Sequence, residues 1–178
     1  MAQKIRRVVT YQDSQGVSRF LMDGDAPNVN VLEDLGGLAL TEIWETASAP
    51  ATNTGSEDAG LDITHLEPRL GSGGSVVRFC EFPPHSDEAL AAASEIGVGD
   101  FAEEGVFAPS DRHPMMHKTS TVDYIIIIKG EIWAVLEEEE TLLKAGDILI
   151  QRGTNHAWSN RSNEPCLFAA VLVSADPV

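Results

Sequence analysis

The decisive stretch of this sequence is MMHKTSTVDY at residues 115–124, which runs directly into IIIIKGEIW at residues 125–133. Because successive side chains of a strand point to opposite faces, the polar residues at odd positions share one face with the isoleucines that follow. These residues are His117, Thr119, Thr121, Asp123, Ile125 and Ile127. A face that is polar at one end and apolar at the other predicts a buried cavity with a chemical site at its mouth.

Composition limits the kind of protein and its partners. The 178 residues are 43% hydrophobic and 22% charged, which favours one globular domain with a sizeable core. The formal net charge of −16 repels phosphate backbones and anionic membranes. We therefore expect a small-molecule substrate as the partner, with no nucleic acid and no membrane.

The sequence predicts a cytoplasmic protein. Its basic N-terminal segment lacks the apolar stretch of a secretory signal, and no apolar run approaches the ~20 residues that cross a bilayer. Cys80 and Cys166 lie far apart and form no CxxC motif. They are expected to sit in strands as small apolar residues of a reduced protein.

Strand patterns dominate the chain. The turn-like DSQG at residues 13–16 separates two β-rich runs and predicts an early hairpin, and GLALTEIWET (37–46) and SVVRFCEF (75–82) predict two further strands. Residues 47–62 have the composition of an exposed loop. From Tyr124 onward, short β-runs alternate with glycine- and asparagine-containing turns, which indicates a β-barrel or sandwich.

One segment, residues 84–112, interrupts the strand pattern. Ser86 is a candidate N-cap for a short helix that Gly97 would end. The remainder is an acidic loop with two phenylalanines. It is either a surface insertion or a lid over the cavity, and the sequence leaves both open.

Residues 117–160 resemble the cupin superfamily of small β-barrels in two motifs. The first cupin motif has a His-x-His pair, a following Glu and a closing Gly; here His117, Thr119, Asp123 and Gly130 occupy those positions. The second motif is GDILIQRGTNHAWSN at residues 146–160, with its turn one residue shorter than usual. Its matching residues are Gly146, Gly153, His156 and Asn160, and Arg152 stands in the usual Pro-x segment.

The resemblance implies an all-β fold, the double-stranded β-helix or jelly-roll barrel of RmlC-like cupins. We expect a single domain over residues 1–178, with N-terminal strands and a loop at 1–75, a barrel at 76–174 and the insertion at 84–112. The early strands would extend the sheet or cross to a second subunit. A homodimer is what the resemblance implies.

The resemblance also implies a divalent metal, Fe, Mn, Zn or Ni, on His117, Asp123 and His156. Two histidines and one carboxylate suit such ions and leave positions open for water and substrate. Thr119 replaces the second histidine of the motif, and His113 is the candidate that compensates for it. In the alternative interpretation, the two histidines only form hydrogen bonds inside the barrel, and Asp123 accepts hydrogen bonds from neighbouring threonines.

Smaller features are assigned by their positions. Gly153 is expected to adopt a backbone conformation closed to other residues in the turn before His156. Trp158 shares parity with His156, so it is placed at the cavity wall or in the core. His65 and His85 lie outside both motifs and are assigned to the surface or to loops.

Three functions follow from these features. The leading prediction is a metal-dependent lyase that decarboxylates or dehydrates a small polar keto or hydroxy acid, with His113 and Asp123 as catalytic residues. The second is an Fe(II)-dependent dioxygenase, because the same ligands suit iron and O₂. The third is a metal-free small-molecule-binding barrel, which the missing histidine at Thr119 favours.

Overall fold

The computed structural model describes residues 2–65, 73–96 and 111–178, and their fold is almost entirely β. The strands are β1 (Arg6–Gln12), β2 (Ser18–Asp25), β3 (Val29–Leu32), β4 (Leu38–Thr46), β5 (Ser75–Phe82), β6 (Thr121–Lys129), β7 (Glu131–Leu136), β8 (Glu140–Lys144), β9 (Ile148–Arg152), β10 (His156–Ser159) and β11 (Cys166–Ser174). A 3-10 helix (Glu33–Leu35) and one α-helix, α1 (Asp87–Ile96), complete these ranges. No helix within them is long and apolar enough to traverse a bilayer.

Two antiparallel sheets enclose the core. The larger has six strands in the order β3-β4-β5-β11-β6-β9, and the smaller has three in the order β10-β7-β8. Buried apolar side chains from both sheets form one cluster, which includes Leu40, Ile125 and Phe168 from the larger sheet and Ile132, Leu143 and Trp158 from the smaller. The all-β, double-stranded β-helix prediction is confirmed.

The alternation predicted for the decisive stretch is present in β6. Thr121, Asp123, Ile125 and Ile127 are buried, whereas Tyr124 on the opposite face is exposed. Strand β11 lies beside β6, with Leu172 opposite Asp123 and Ala170 opposite Ile125. The inner face of the six-stranded sheet is therefore polar at one end of β6 and apolar at the other.

The N-terminal strands divide into two groups. Strands β1 and β2 form the predicted antiparallel hairpin, a separate two-stranded sheet. Buried Arg7 ties it to the barrel through a 2.9 Å hydrogen bond to the Ile43 carbonyl and an ion pair with Asp58. Strands β3 and β4 join the six-stranded sheet beside β5, so the barrel wall includes residues before position 76.

The helix predicted within the insertion is confirmed as α1. The Ser86 hydroxyl oxygen accepts a 3.1 Å hydrogen bond from the Ala89 N–H. Asp87 and Glu88 occupy the first turn, where their negative charges interact favourably with the positive end of the helix dipole. Gly97 and the acidic loop up to residue 110 lie outside the described residues, and so does the choice between a lid and a surface insertion.

Two motif glycines have positions that other residues would strain. Gly153 has a φ of +60°, as predicted for the turn before His156. Gly130 has a φ of +76°, and a Cβ added there would lie 2.7 Å from the Pro165 carbonyl oxygen. Nearby, fully buried Asn160 donates from Nδ2 to the carbonyls of Phe82 and Glu164, which ties the turn after β10 to the end of β5. Turn geometry thus explains Gly130 of the first motif and Gly153 and Asn160 of the second.

Candidate metal and ligand cavity

A cavity of about 100 Å³ lies between the two sheets. One part of its wall is polar, formed by Arg78, His117, Thr119, Asp123 and His156. Much of the rest is apolar, with Leu38, Leu40, Ile125, Trp158, Phe168 and Leu172 among the lining residues. The cavity expected from the decisive stretch is present. Trp158 lies in its wall, which is one of the two positions predicted for it.

The two motif histidines meet at this wall. His117 and His156 form an antiparallel bridge in which each backbone N–H donates to the other's carbonyl, at 2.9 and 2.8 Å. Their ring centroids are 4.3 Å apart, with the planes at 47°. The segment before β6 and the start of β10 are thereby joined at the site.

Backbone carbonyls fix the tautomers of both rings. Nδ1 of His117 lies 2.9 Å from the Met115 carbonyl oxygen, and Nδ1 of His156 lies 2.9 Å from the Thr154 carbonyl oxygen. A neutral imidazole that donates from Nδ1 carries its lone pair on Nε2. Metal-ligating histidines are oriented by hydrogen bonds of this kind.

Both imidazoles are neutral at pH 7. Burial, and next the neighbouring His117, lower the pKa of His156 to about 3. Burial also lowers the pKa of His117, although its hydrogen bond to the Met115 carbonyl acts in the opposite direction. Neutral rings are the form that binds metal ions.

Thr119, which occupies the position of the second histidine of the first cupin motif, forms a hydrogen-bonded pair with Thr121. The Thr121 hydroxyl donates a 2.7 Å hydrogen bond to the Thr119 hydroxyl oxygen, and both residues are buried. Thr121 therefore directs its proton to Thr119 and not to Asp123. The motif position that usually supplies an imidazole holds a short hydroxyl already engaged in a hydrogen bond.

The predicted ligands meet the requirements of a metal ion only in part. His117 and His156 fit, since they are neutral, adjacent and fixed in the appropriate tautomer. Asp123 lines the same cavity. Even so, in the ranges that the structure describes, no three or more His, Cys, Asp or Glu side chains form a group that could hold a metal ion.

His113 is buried but is not among the residues that line the cavity. Its Nδ1 accepts a 3.1 Å hydrogen bond from the Met115 N–H, and its ring lies 5.6 Å from that of His85. Burial lowers its pKa to about 4. His113 thus lies behind the cavity wall, near enough to His117 for that ring to contribute to the lowering of its pKa, and its catalytic role stays a prediction.

The two remaining histidines have structural partners. His65 lies in a loop, as expected, with Nε2 3.0 Å from a Glu45 carboxylate oxygen. The position expected for His85 is correct in part, because it follows β5 in a loop but is half-buried, with Nδ1 3.2 Å from the Ser159 hydroxyl.

Sequence reasoning missed Arg78, a buried cation in the cavity wall. Its Nη2 lies 3.2 Å from Glu42 Oε1 and donates to the His65 carbonyl at 2.9 Å. The sequence did contain a signal. In SVVRFCEF, Arg78 has the same parity as the buried residues Val76 and Cys80, so it lies on the inward face of a strand.

Residues 104–173 match the family model described as Cupin domain, and the two-sheet barrel of the described residues agrees with the cupin resemblance of the two motifs. Phomopsin biosynthesis cluster protein D of Diaporthe leptostromiformis is 28% identical over 162 residues, covering 88% of this chain and 71% of that protein. Oryzines biosynthesis cluster protein J of Aspergillus oryzae is 32% identical over 130 residues, covering 69% and 58%.

A third relative has a more informative name. The cupin-domain-containing oxidoreductase fogC of Aspergillus ruber is 28% identical over 159 residues, covering 88% of this chain and 64% of that protein. The relatives of this chain therefore include a protein named as a cupin-domain-containing oxidoreductase and proteins named for fungal biosynthesis clusters.

Proposed function

We propose that this chain is an oxidoreductase that acts on a small, largely apolar molecule bound inside the barrel. The observation that carries the proposal is the cavity itself, in which two neutral, oriented imidazoles and a carboxylate lie in an otherwise mostly apolar wall. The name of the Aspergillus ruber relative supports redox chemistry over the alternatives.

The shape of the polar patch favours a substrate with one polar group. Leu40, Ile125 and Phe168 would bury an apolar body, while the histidine end would receive a hydroxyl, carbonyl or carboxylate. Such a molecule is less polar than the small keto or hydroxy acid that the sequence suggested. The substrate class therefore moves toward molecules with an aliphatic or aromatic body.

We further propose that His117, His156 and Asp123 hold the divalent ion, whether Fe, Mn, Zn or Ni. Such an ion, when bound, supplies Lewis acidity or a means of using O₂. The chain's own contribution is to keep both imidazoles uncharged and to hold their Nδ1 atoms on backbone carbonyls. The support for this proposal is the chemistry of the three side chains, two neutral imidazoles and one carboxylate. Their geometry does not add to it, because the described residues contain no group of three such side chains close enough to hold a metal ion.

Lyase chemistry and metal-free binding remain as alternatives. The lyase prediction ranks second because the relatives' names point to redox reactions. Thr119 favours metal-free binding, because its engaged hydroxyl takes the place of a motif histidine. All three functions use the same cavity but differ in turnover and in their need for oxygen. One experiment can therefore separate the oxidoreductase, the lyase and the metal-free binding barrel.

That experiment asks whether oxygen is a reactant. Protein reconstituted with each metal in turn would be screened against small aromatic and aliphatic aldehydes, alcohols and acids, with an oxygen electrode and in an anaerobic chamber. Oxygen uptake coupled to product formation is expected. Equal turnover without oxygen would favour the lyase, and tight binding without turnover would favour the metal-free barrel.

Metal content gives a second readout that needs no substrate. Elemental analysis of gently purified protein should find up to one Fe, Mn, Zn or Ni per chain, and His156→Ala should lose it, because removing a ligand opens the site to solvent. His65→Ala is the matched control, since His65 lies outside the cavity wall. Full occupancy in a His117→Ala, His156→Ala double variant would exclude this site.

We also propose a homodimer. The outer face of the six-stranded sheet exposes Tyr124, Ile128, Ile148 and Ile150, and hairpin β1–β2 exposes Phe20. An isolated two-stranded hairpin is only marginally stable in water, so burial of this apolar surface against a second copy would stabilise both elements.

A further inference from the structure

We propose that Arg78 binds an anionic oxygen of the ligand, so that the molecule in the cavity carries a carboxylate or an ionised enol or phenol. This inference rests on the proposed function, because it assumes that the cavity is the ligand site. It adds the charge of the ligand, which neither the motifs nor the relatives' names provide.

The position of Arg78 makes a purely apolar ligand a poor fit. Its side chain is 4% exposed and lies in the cavity wall. Across the sheet it stands opposite Ala170, and Cys80 follows it on the inward face of β5. A guanidinium that remains charged at every physiological pH thus lies in a cavity wall whose other residues are mostly apolar.

The partners of Arg78 hold it from outside the cavity. Nη2 contacts one Glu42 carboxylate oxygen and the His65 carbonyl, and neither residue lines the cavity. Within the described part of the chain, Nε of Arg78 and Oε2 of Glu42 are buried without a hydrogen-bond partner. A structural Arg–carboxylate pair is commonly bidentate and leaves no such donor, so this unmatched donor of a cavity-lining arginine is the one that we assign to a ligand oxygen.

Glu42 and Asp123 set the strength of this attraction. Burial raises the pKa of Glu42, although Arg78 acts in the opposite direction. The raised pKa reduces the negative charge that faces the guanidinium. Asp123 also lines the cavity and opposes an anion there. Glu42→Gln keeps Arg78 in place and removes the competing carboxylate, so an anion should bind more tightly to that variant.

Calorimetry with two small probes tests the inference. Benzoate and benzyl alcohol have similar sizes and differ in charge. We expect the natural chain to bind benzoate at least about tenfold more tightly than benzyl alcohol, since hydrogen bonds to charged groups exceed neutral ones by that order. Glu42→Gln should widen the ratio, and Arg152→Met, which alters an exposed arginine outside the cavity, should leave it unchanged.

Removal of the pair is best done with both partners together. A single Arg78→Met change would leave Glu42 buried without its cation, whereas Arg78→Met with Glu42→Leu replaces the whole pair by apolar groups. The double variant should bind both probes equally, with benzyl alcohol within about threefold of its original affinity. If it fails to fold, Arg78→Lys, which keeps the charge but lacks the planar fork, should show a reduced ratio.

The outcomes separate this inference from the proposed function. Binding of benzyl alcohol without any preference for benzoate would overturn the role of Arg78 and leave the cavity as the ligand site. A benzoate preference that survives in the double variant would do the same. Failure of both probes to bind the natural chain would overturn both proposals.

Discussion

The two faces of β6 carry similar apolar residues but differ in how much of their surface is buried. On the inner face, Ile125 and Ile127 are buried at 4% and 1% exposure, and on the outer face Tyr124 and Ile128 are each 45% exposed. The three-stranded sheet covers the first face, and no element of the described chain covers the second to that extent. An apolar run of this kind therefore fixes a strand but not which of its faces meets a partner.

The largest expected difference between the faces is in stability. Ile127→Ala should lower the free energy of unfolding by about 3 kcal/mol, because it removes buried methyl groups and leaves a cavity. Ile128→Ala, its neighbour on the outer face, should cost less than about 0.5 kcal/mol in the monomer. Urea unfolding with matched m-values measures both, and similar costs would mean that the outer face is covered in solution.

Asp123 should show the functional counterpart of this contrast. Asp123→Asn is expected to lower kcat/KM by about 100-fold, since it removes the only anionic group among the proposed ligands, and this corresponds to about 2.7 kcal/mol. Tyr124→Phe, one residue away on the outer face, should leave kcat/KM unchanged. Comparable losses in the two variants would show that Asp123 acts through folding and not through the site.

A pH titration extends the comparison to the segment before β6. Burial depresses the pKa of His113 to about 4, whereas in the unfolded chain it is near 6.5. Between these values the unfolded state binds more protons, so stability is full above about pH 6.5 and falls as the pH decreases toward 4. His113→Asn, whose side-chain oxygen keeps an acceptor for the Met115 N–H, should reduce the acid loss by about 2 kcal/mol.

Thermal unfolding at pH 7 and pH 4.5 measures that loss. His65→Asn is the control, because His65 lies in a different loop and bonds to Glu45. If the melting temperatures of the natural chain and of His113→Asn fall by the same amount between pH 7 and pH 4.5, His113 does not titrate with unfolding.

The smallest effect on the single chain is expected on the outer face. Ile148→Lys places a charge on a side chain that is 63% exposed, so the monomer should lose less than about 0.5 kcal/mol. In the dimer the charge would be desolvated, so light scattering at micromolar concentration should show monomers. Thr141→Lys, at an exposed position of β8 in the other sheet, should remain dimeric. A natural chain that is already monomeric would exclude the homodimer.

The parts of the fold that could be predicted are those with local causes. The period of two in a strand placed Thr121 and Asp123 on the inner face, and the turn chemistry of Gly153 and the capping chemistry of Ser86 depend on adjacent residues. Cys80 and Cys166 are buried thiols in β5 and β11, as their isolated positions suggested. Each of these features is set within a few residues of chain.

The remaining features depend on long-range pairing. The bridge between His117 and His156 brings together residues from two motifs, and the tautomers follow from carbonyls that the folded backbone positions. The role of Arg78 required knowing that β4 and the loop at His65 lie beside β5. Motif spacing predicted which residues approach one another, but it did not predict whether three donors form one cluster.

The contact of Trp158 with His156 makes the site optically visible. The indole lies 5.6 Å from the imidazole, edge to face at 81°. Tryptophan emission is quenched by a protonated imidazole or a paramagnetic ion at this range, so the fluorescence of Trp158 should respond to the state of its neighbour. The chain has three tryptophans, and replacing Trp44 and Trp133 by phenylalanine would leave one emitter inside the cavity wall. The barrel thus contains its own spectroscopic probe, which can follow metal or ligand entry in real time before any substrate is known.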